Sequence, residues 1–229
     1  MKGFHSYLPV LLILPLLISV QGVRAQNLDD LCLRYPQNSS CEQHRIGSAG
    51  GERAKKLGEG EAVSERQQDR FTAQVLIPAP KEEVWDVLTD YNRFSEFLPG
   101  VAQNRATLIK DEGGQRTLLM ESTNVTKVLL SQIESQVQLQ LQERPTSEIA
   151  FMLVEAKDLE QFEGQWQLET VIPPDTELFA GTESATLVTY RAQASISGGP
   201  QAIFAQIFED QIRKNLAAIQ AETIRRVLG

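Results

Sequence analysis

The sequence contains few of the residues that carry most enzyme chemistry. Only two histidines and two cysteines occur in 229 residues. His5 lies in an apolar leader, so a mature chain would keep one histidine, His44. Any Ser-His, Cys-His or multi-histidine metal mechanism would have to use it. This scarcity excludes much hydrolytic and metal chemistry, and we expect no catalytic residue, no metal site and no cofactor.

Basic residues are also scarce relative to acidic ones. The chain has 22 lysines and arginines against 30 acidic residues, a net charge of −8. Without residues 1–25 the count is 20 against 30, a net charge of −10. Such a chain is a poor candidate for binding nucleic acid, and anionic lipid headgroups would repel it. At 41% hydrophobic residues it can still bury a core, and its length suits one domain with appendages.

Long apolar runs are limited to one, the 13 residues from Leu8 to Val20. As a helix it would span about 20 Å, against about 30 Å for the hydrocarbon core of a bilayer. It is followed by Val23-Arg24-Ala25, with small residues at the positions that a signal peptidase reads. The pattern predicts a cleaved signal peptide over residues 1–25, with a membrane anchor as the alternative. We therefore expect export to a periplasm, a thylakoid lumen or the extracellular space, without stable membrane insertion.

The two cysteines lie just after this leader. In an oxidising compartment, Cys32 and Cys41 are expected to form a disulfide. A metal site is the alternative, but even with His44 it would lack one ligand of a closed site. The Pro-Gln-Asn-Ser segment between the cysteines resembles one that follows the leader in exported cyanobacterial proteins. From 42 to 69 the chain is rich in glycine and charge, which predicts a flexible linker after a disulfide-containing segment, the two together covering 26–69.

The remaining residues, 70–229, have the patterns of a folded domain. A strand over 71–77 precedes two short helices, the first opened by Pro80 and the second ended by Pro99 and Gly100. A long helix follows Pro200, with an apolar stripe from Phe204 to Ile219. Further strands are expected over 101–110, 117–125, 129–141, 149–154, 164–171 and 185–196. These elements predict an α+β domain: a curved antiparallel sheet of about seven strands wrapped around a long C-terminal helix, with two short helices after the first strand.

Four segments resemble a known superfamily. The segments VWDVLTDY (84–91) and FLPGV (97–101) resemble the helix-to-strand signature of the START-like (SRPBCC) superfamily, in the branch of polyketide cyclase/dehydrase and coenzyme Q-binding proteins. The segment FEGQW (162–166) and the closing helix from Phe208 to Leu216 resemble its bacterial members. The resemblance covers about 69–229. It implies a helix-grip fold with an apolar cavity between the sheet and the C-terminal helix.

Candidate cavity residues fall into an apolar and a polar set. Each apolar candidate could equally be a core residue, and each charged candidate could face solvent. A bulge reverses the alternation of a strand, so the pattern alone does not fix which side chains face inward. The apolar candidates are Trp85, Met120, Phe151, Met152, Trp166, Tyr190, Phe204 and Phe208. The polar candidates, which could orient a quinone carbonyl or a headgroup, are Glu121, Glu155 and Arg191.

Three functions are compatible with these features. We expect the domain to bind or carry a hydrophobic small molecule, a lipid or an isoprenoid quinone. A cyclase- or hydrolase-type enzyme in the same cavity is the alternative, although only carboxylates, tyrosines and lysines could act as its acid and base. A protein-interaction module with a closed cavity is the third. A monomer without a nucleic-acid partner is favoured.

Overall fold

The computed structural model describes residues 51–128 and 131–228, with the side chains at 127, 128 and 131 outside the description. This part of the chain forms eight strands, four α-helices and two 3₁₀ turns, at Tyr91–Arg93 and Glu177–Phe179. The helices are α1 (Gly51–Gly58), α2 (Lys81–Leu88), α3 (Phe94–Phe97) and α4 (Gln201–Leu228). The strands are β1 (Val63–Gln67), β2 (Arg70–Ile77), β3 (Val101–Glu112), β4 (Gln115–Val128), β5 (Ser131–Arg144), β6 (Glu148–Ala156), β7 (Leu159–Val171) and β8 (Ala185–Ile196).

All eight strands belong to one antiparallel sheet in the order β1-β2-β8-β7-β6-β5-β4-β3. Most neighbours are consecutive in sequence, as short connections require. The exception is β2, which pairs with β8 along its whole length, from Arg70 opposite Gln193 to Ile77 opposite Thr186. The second and the last strands of the domain are thereby joined.

Strand β5 illustrates why the sheet has one apolar face. Val137, Leu139 and Leu141 are buried, and the glutamines that alternate with them lie on the other face. Residues opposite each other in an antiparallel pair share a face, and Leu141 accordingly lies opposite the buried Leu118 of β4. An antiparallel sheet with one apolar and one polar face is the outcome that the alternation predicts.

Helix α4 covers the apolar face of the sheet. It begins directly after Pro200, a residue favoured at helix starts because it has no amide hydrogen to leave unpaired. Ala205, Ile212, Leu216 and Ile219 are buried along one side, with Leu216 0% exposed. Burial of each large side chain contributes about 1.5–3 kcal/mol, so this stripe anchors the helix.

The expected linker is replaced by structure over much of its length. Residues 51–67 form α1 and β1, and β1 pairs with β2 from Val63 opposite Gln74 to Gln67 opposite Arg70. Leu57 and Val63 are buried in a second small core with Leu76, Phe179 and Ala185. Two apolar residues give no visible periodicity, so the pattern missed both elements. The folded unit therefore begins at Gly51 or before it, not near Arg70.

The predicted fold class is confirmed. The sheet has eight strands where about seven were expected, and the two short helices follow the second strand because β1 was missed. Across 51–128 and 131–228, no helix is both long and apolar enough to cross a bilayer. The predicted signal peptide, the disulfide between Cys32 and Cys41, and His44 lie outside the described residues.

Candidate ligand cavity

A cavity of about 170 Å³ lies between the sheet and α4. Two residues of α4, Asn215 and Ile219, line it opposite the inner face of strands β3 to β8. Apolar and aromatic side chains make up most of its wall: Leu88, Tyr91, Phe94, Leu98, Val101, Met120, Val137, Leu139, Leu141, Ile149, Phe151, Phe162, Trp166 and Tyr190.

The inward side chains are set by strand alternation and by two bulges. On β4, Met120, Ser122 and Asn124 line the cavity in steps of two residues. On β3, the register shifts between Val101 and Gln103, so Val101 and Asn104 both face inward although they are three residues apart. Simple alternation from Val101 would have placed Asn104 on the opposite face.

The segment after α2 closes the cavity at one side. Tyr91, Phe94 and Leu98 lie there, and the rings of Tyr91 and Phe94 meet edge to face with centroids 5.4 Å apart. This segment is tied to the end of α4, where Arg226 bonds to Asp90 at 2.7 Å and to Glu222 at 2.8 Å. The Arg226–Asp90 salt bridge holds the segment after α2 against α4, and Glu222 orients the Arg226 side chain from within α4.

An aromatic cluster limits the size of the cavity. Phe162 lies against Phe208 with centroids 5.7 Å apart, and Phe71 and Phe204 contact the same Phe208 ring at 4.7 and 5.5 Å. Phe151 extends the cluster to Tyr190, at 5.7 Å. These rings occupy the space between the sheet and the N-terminal half of α4, so the open volume is confined beside them.

Four of the eight apolar candidates line the cavity: Met120, Phe151, Trp166 and Tyr190. Phe204 and Phe208 pack in the aromatic cluster instead, and Trp85 is buried in the core behind the wall. Met152 was placed on the wrong face. It lies opposite Gln140 and is 49% exposed, because its neighbour Phe151 takes the inward position.

None of the three charged candidates lies in the cavity. Glu121 stands between the inward Met120 and Ser122, and it accepts a hydrogen bond from Gln138 on the outer face. Arg191 follows the inward Tyr190 and donates to Gln167. Strand alternation therefore directs both side chains away from α4.

Glu155 is a separate case because a bulge decides its face. Leu153 pairs with Leu139 and Glu155 with Gln138, so Val154 is the extra residue. This places Glu155 on the outer face beside Gln138, and not on the inner face with Leu153. Without the bulge, Glu155 would follow Leu153 toward the core.

A buried carboxylate that the sequence did not indicate lies next to the cavity wall. Glu143 is 1% exposed, and the hydroxyl of Tyr91 donates to its Oε1 at 2.8 Å. Arg116 Nη1 lies 3.2 Å from Oε2. Burial, followed by the charge of Glu143, raises the pKa of Tyr91 far above its usual range. Tyr91 is therefore a neutral phenol at any physiological pH.

Four polar residues line the cavity, and the sequence analysis named none of them as candidates. They are Asn104, Ser122, Asn124 and Asn215. The first three lie together because Asn104 pairs opposite Ser122 on adjacent strands. A polar residue at an inward position of a strand was the available signal, but using it required the positions of the bulges.

Neighbouring surface features mark where the cavity approaches the exterior. A depression of about 490 Å³ shares Val101 with the cavity and is lined by Pro99, Gly100 and Gln211. Gln211 of α4 donates to the carbonyl of Pro99 and, at 2.9 Å, to Asn215 Oδ1. Gly100 has a φ of +86°, which favours glycine, and this lets the chain turn under Gln211. The Gln211 side chain thus bridges α4 and the loop before β3.

The charged groups of the described chain form no metal centre. Within 51–128 and 131–228, no three His, Cys, Asp or Glu side chains are grouped so that they could hold a metal ion.

A curved antiparallel sheet that packs on a long C-terminal helix, with an apolar cavity between them, defines a helix-grip domain of the START-like superfamily. A family model described as polyketide cyclase / dehydrase and lipid transport matches residues 77–220, more than half of the chain. The protein belongs to this family, which confirms the superfamily assignment made from the sequence. No match was found among curated proteins.

One solved structure supports the fold. The chain is similar to the Zhui aromatase/cyclase from Streptomyces sp. R1128, with a TM-score of 0.53 and 16% identity over 69% of this chain and 94% of that one. It is also similar to a STAR-related lipid transfer protein from Xanthomonas axonopodis, with a TM-score of 0.48 and 20% identity over 71% and 92% of the two chains. At these identities the likeness concerns the fold alone.

Proposed function

We propose that this protein binds and carries a hydrophobic small molecule, a lipid or an isoprenoid quinone, in the cavity between the sheet and α4. The observation that carries the proposal is the apolar and aromatic wall around about 170 Å³ of open space. Ligand pockets usually measure about 300–1,000 Å³. The cavity is therefore large enough for a ring or the end of a chain, and we place the rest of the ligand in the neighbouring depression that is lined by Pro99, Gly100 and Gln211.

Binding is favoured over catalysis by the residues present. Among the described residues that line the cavity, none is a carboxylate, lysine, histidine or cysteine. Tyr91 has a raised pKa, so it would be a poor proton donor at neutral pH. A cyclase or hydrolase would need an acid and a base near its substrate, and this wall offers neither.

Mass spectrometry of organic extracts tests the proposal. Protein purified from its native host should carry a lipid or quinone that is absent from a mock purification. Val137→Phe adds a ring to the cavity wall and should remove most of this material. Val154→Phe makes the same change at an outward position that is 53% exposed, and should leave the extract unchanged. Extracts without any enriched hydrophobic molecule would contradict the proposal.

We also propose that the protein acts outside the cytoplasm. The support is the apolar run from Leu8 to Val20 and the cysteine pair after it. Intact mass should place Gln26 first and should increase by two hydrogens on reduction of Cys32 and Cys41. A retained leader, or thiols that alkylate without reductant, would contradict export.

A further inference from the structure

The cavity wall is uncharged. Among the described residues that line it, none is Asp, Glu, Lys, Arg or His. A charged ligand group placed there would lose its hydration without gaining a counter-ion, which is costly. The nearest buried charge, Glu143, is already held by Tyr91 and Arg116. In addition, residues 51–229 carry 18 basic and 27 acidic side chains, so the domain as a whole repels anions.

The polar part of the wall consists mainly of amides whose geometry leaves three groups free for a ligand. Asn104 donates its Nδ2 to the Tyr91 carbonyl at 2.9 Å, which leaves its Oδ1. Asn124 Oδ1 accepts from Ser122 at 3.3 Å, and Asn215 Oδ1 accepts from Gln211 at 2.9 Å. Both keep an Nδ2 that bonds to no other described residue. Two donors and one acceptor on an apolar wall complement an alcohol or carbonyl oxygen.

The apolar part of the wall favours a ring. Six aromatic side chains line the cavity: Tyr91, Phe94, Phe151, Phe162, Trp166 and Tyr190. A volume of about 170 Å³ is close to that of an engineered apolar cavity of about 150 Å³ that binds benzene. A single six-membered ring therefore fills the space.

From these three observations we infer that the ligand class is neutral and ring-bearing. Its polar group is a hydroxyl that accepts from Asn124 and Asn215 and donates to Asn104, or a carbonyl that accepts from Asn124 and Asn215 alone. The inference rests on the proposed function and narrows it. Ligands that would place an ionised group, such as a carboxylate or a phosphate, inside the cavity are excluded from the site.

Three matched probes test the ligand class: p-cresol, toluene and p-toluate, which differ only in one substituent. Titrations of the isotopically labelled full chain, followed by NMR, should show that p-cresol binds about three- to tenfold more tightly than toluene, the gain from one hydrogen bond. It should bind at least tenfold more tightly than p-toluate. The side-chain amide signals of Asn124 and Asn215 should shift clearly further with p-cresol than with toluene, whose ring acts on them without a hydrogen bond.

Amide replacement gives a second measurement. Asn215→Leu keeps the size of the side chain and should remove the preference for p-cresol over toluene while toluene binding is retained. Asn124→Leu, on a different element, should act in the same way and covers the case in which the first variant does not fold. Gln132→Leu removes an amide from an exposed position of β5 and should leave the preference intact.

The outcomes separate the two proposals. Binding of p-toluate as tight as that of p-cresol, or equal binding of p-cresol and toluene, overturns the ligand class and leaves the carrier function standing. If none of the three probes binds the purified, ligand-stripped protein, the carrier function itself fails.

Discussion

Glu143 is a buried carboxylate, and its burial would be unfavourable without the two side chains that bind it. Its carboxylate is removed from water, and its stability depends on the Tyr91 hydroxyl at 2.8 Å and on Arg116. A buried charge of this kind is tolerable only while its partners remain. The residue lies beside the wall that Tyr91 contributes to the cavity, so the charge also fixes the orientation of that ring.

Removing the Tyr91 hydroxyl alone should therefore destabilise the protein more than removing that hydroxyl together with the Glu143 carboxylate. Tyr91→Phe leaves the Glu143 carboxylate with an unpaired buried oxygen and should lower the free energy of unfolding by about 1–3 kcal/mol. Urea denaturation followed by circular dichroism measures this. The double variant Tyr91→Phe/Glu143→Leu should recover much of the loss, because no buried charge remains. A double variant no more stable than Tyr91→Phe alone would contradict this account.

Gly164 is a second residue-scale constraint. A Cβ added there would meet the carbonyl oxygen of Arg191 at 2.1 Å and the Cα of Ala192 at 2.8 Å, both backbone atoms of β8. Gly164→Ala should therefore separate β7 from β8 and reduce stability by about 3 kcal/mol, measured as a lowered Tm. Gly51→Ala is the matched control, since a Cβ at Gly51 meets nothing within 4 Å. Equal effects of the two changes would contradict the steric explanation.

At the scale of elements, the last turns of α4 are stabilised by charge, because Arg225 and Arg226 both bond to Glu222 on the same helix. Hydrogen bonds from Arg225 and Arg226 lower the pKa of Glu222 to about 2, below its ordinary value of 4.5. Because the folded-state pKa is the lower one, this contribution to stability is complete above about pH 4.5 and is lost as the pH falls toward 2.

Glu222→Gln should consequently lower the free energy of unfolding by about 1 kcal/mol at pH 7. Near pH 2 the variant and the wild-type protein should be equally stable. Thermal unfolding of both proteins between pH 2 and 7 measures the difference. The two curves should converge as the pH falls. A constant gap across the whole range would show that the charge of Glu222 is not the cause.

Gln211 bridges helix α4 and the loop before β3. It lines the depression in which we place the part of the ligand that extends out of the cavity. Gln211→Ala should increase the dissociation rate of p-cresol by about two- to tenfold, the equivalent of one lost hydrogen bond, as measured by NMR line shapes. Gln206→Ala, at an exposed position on the same helix, should leave the rate unchanged. An unchanged rate in both variants would place the path elsewhere.

The elements themselves differ in how well the sequence predicts them. Strand β5 was predictable because its alternation continues over many residues, and α4 because its apolar stripe, from Phe204 to Ile219, spans more than four turns. Strand β1 has a single buried residue, Val63, and depends on hydrogen bonds to β2, which no local pattern records. The face of Glu155 depends on a bulge at Val154, and Glu143 stands between Gln142 and Arg144 in what resembles a polar strand end. Whether a strand residue faces the cavity therefore depends on the pairing register, which two strands set together and which a local sequence pattern does not contain.

For the molecule as a whole, α1 and β1 are part of the fold. Leu57 and Val63 bury apolar surface, and Arg53 bonds to Gln74 of β2 at 2.6 Å. A chain that begins at Arg70 should be less stable than one that begins at Gly51 by about 3 kcal/mol, since two buried side chains are lost. Urea denaturation of both chains measures this. Equal stability of the two chains would show that residues 51–69 do not stabilise the fold and serve only as a linker.

The pairing of β2 with β8 has a consequence for the time course of folding. Strand β2 pairs with residues 186–193 of β8, which follow it by more than one hundred residues. Contacts of such large sequence separation make folding slow, because the loop-closure entropy must be paid before they form. The core cannot be completed until the last strand and α4 have been synthesised. For a protein that we propose to be exported, slow folding favours the unfolded state that passage through a translocation channel requires.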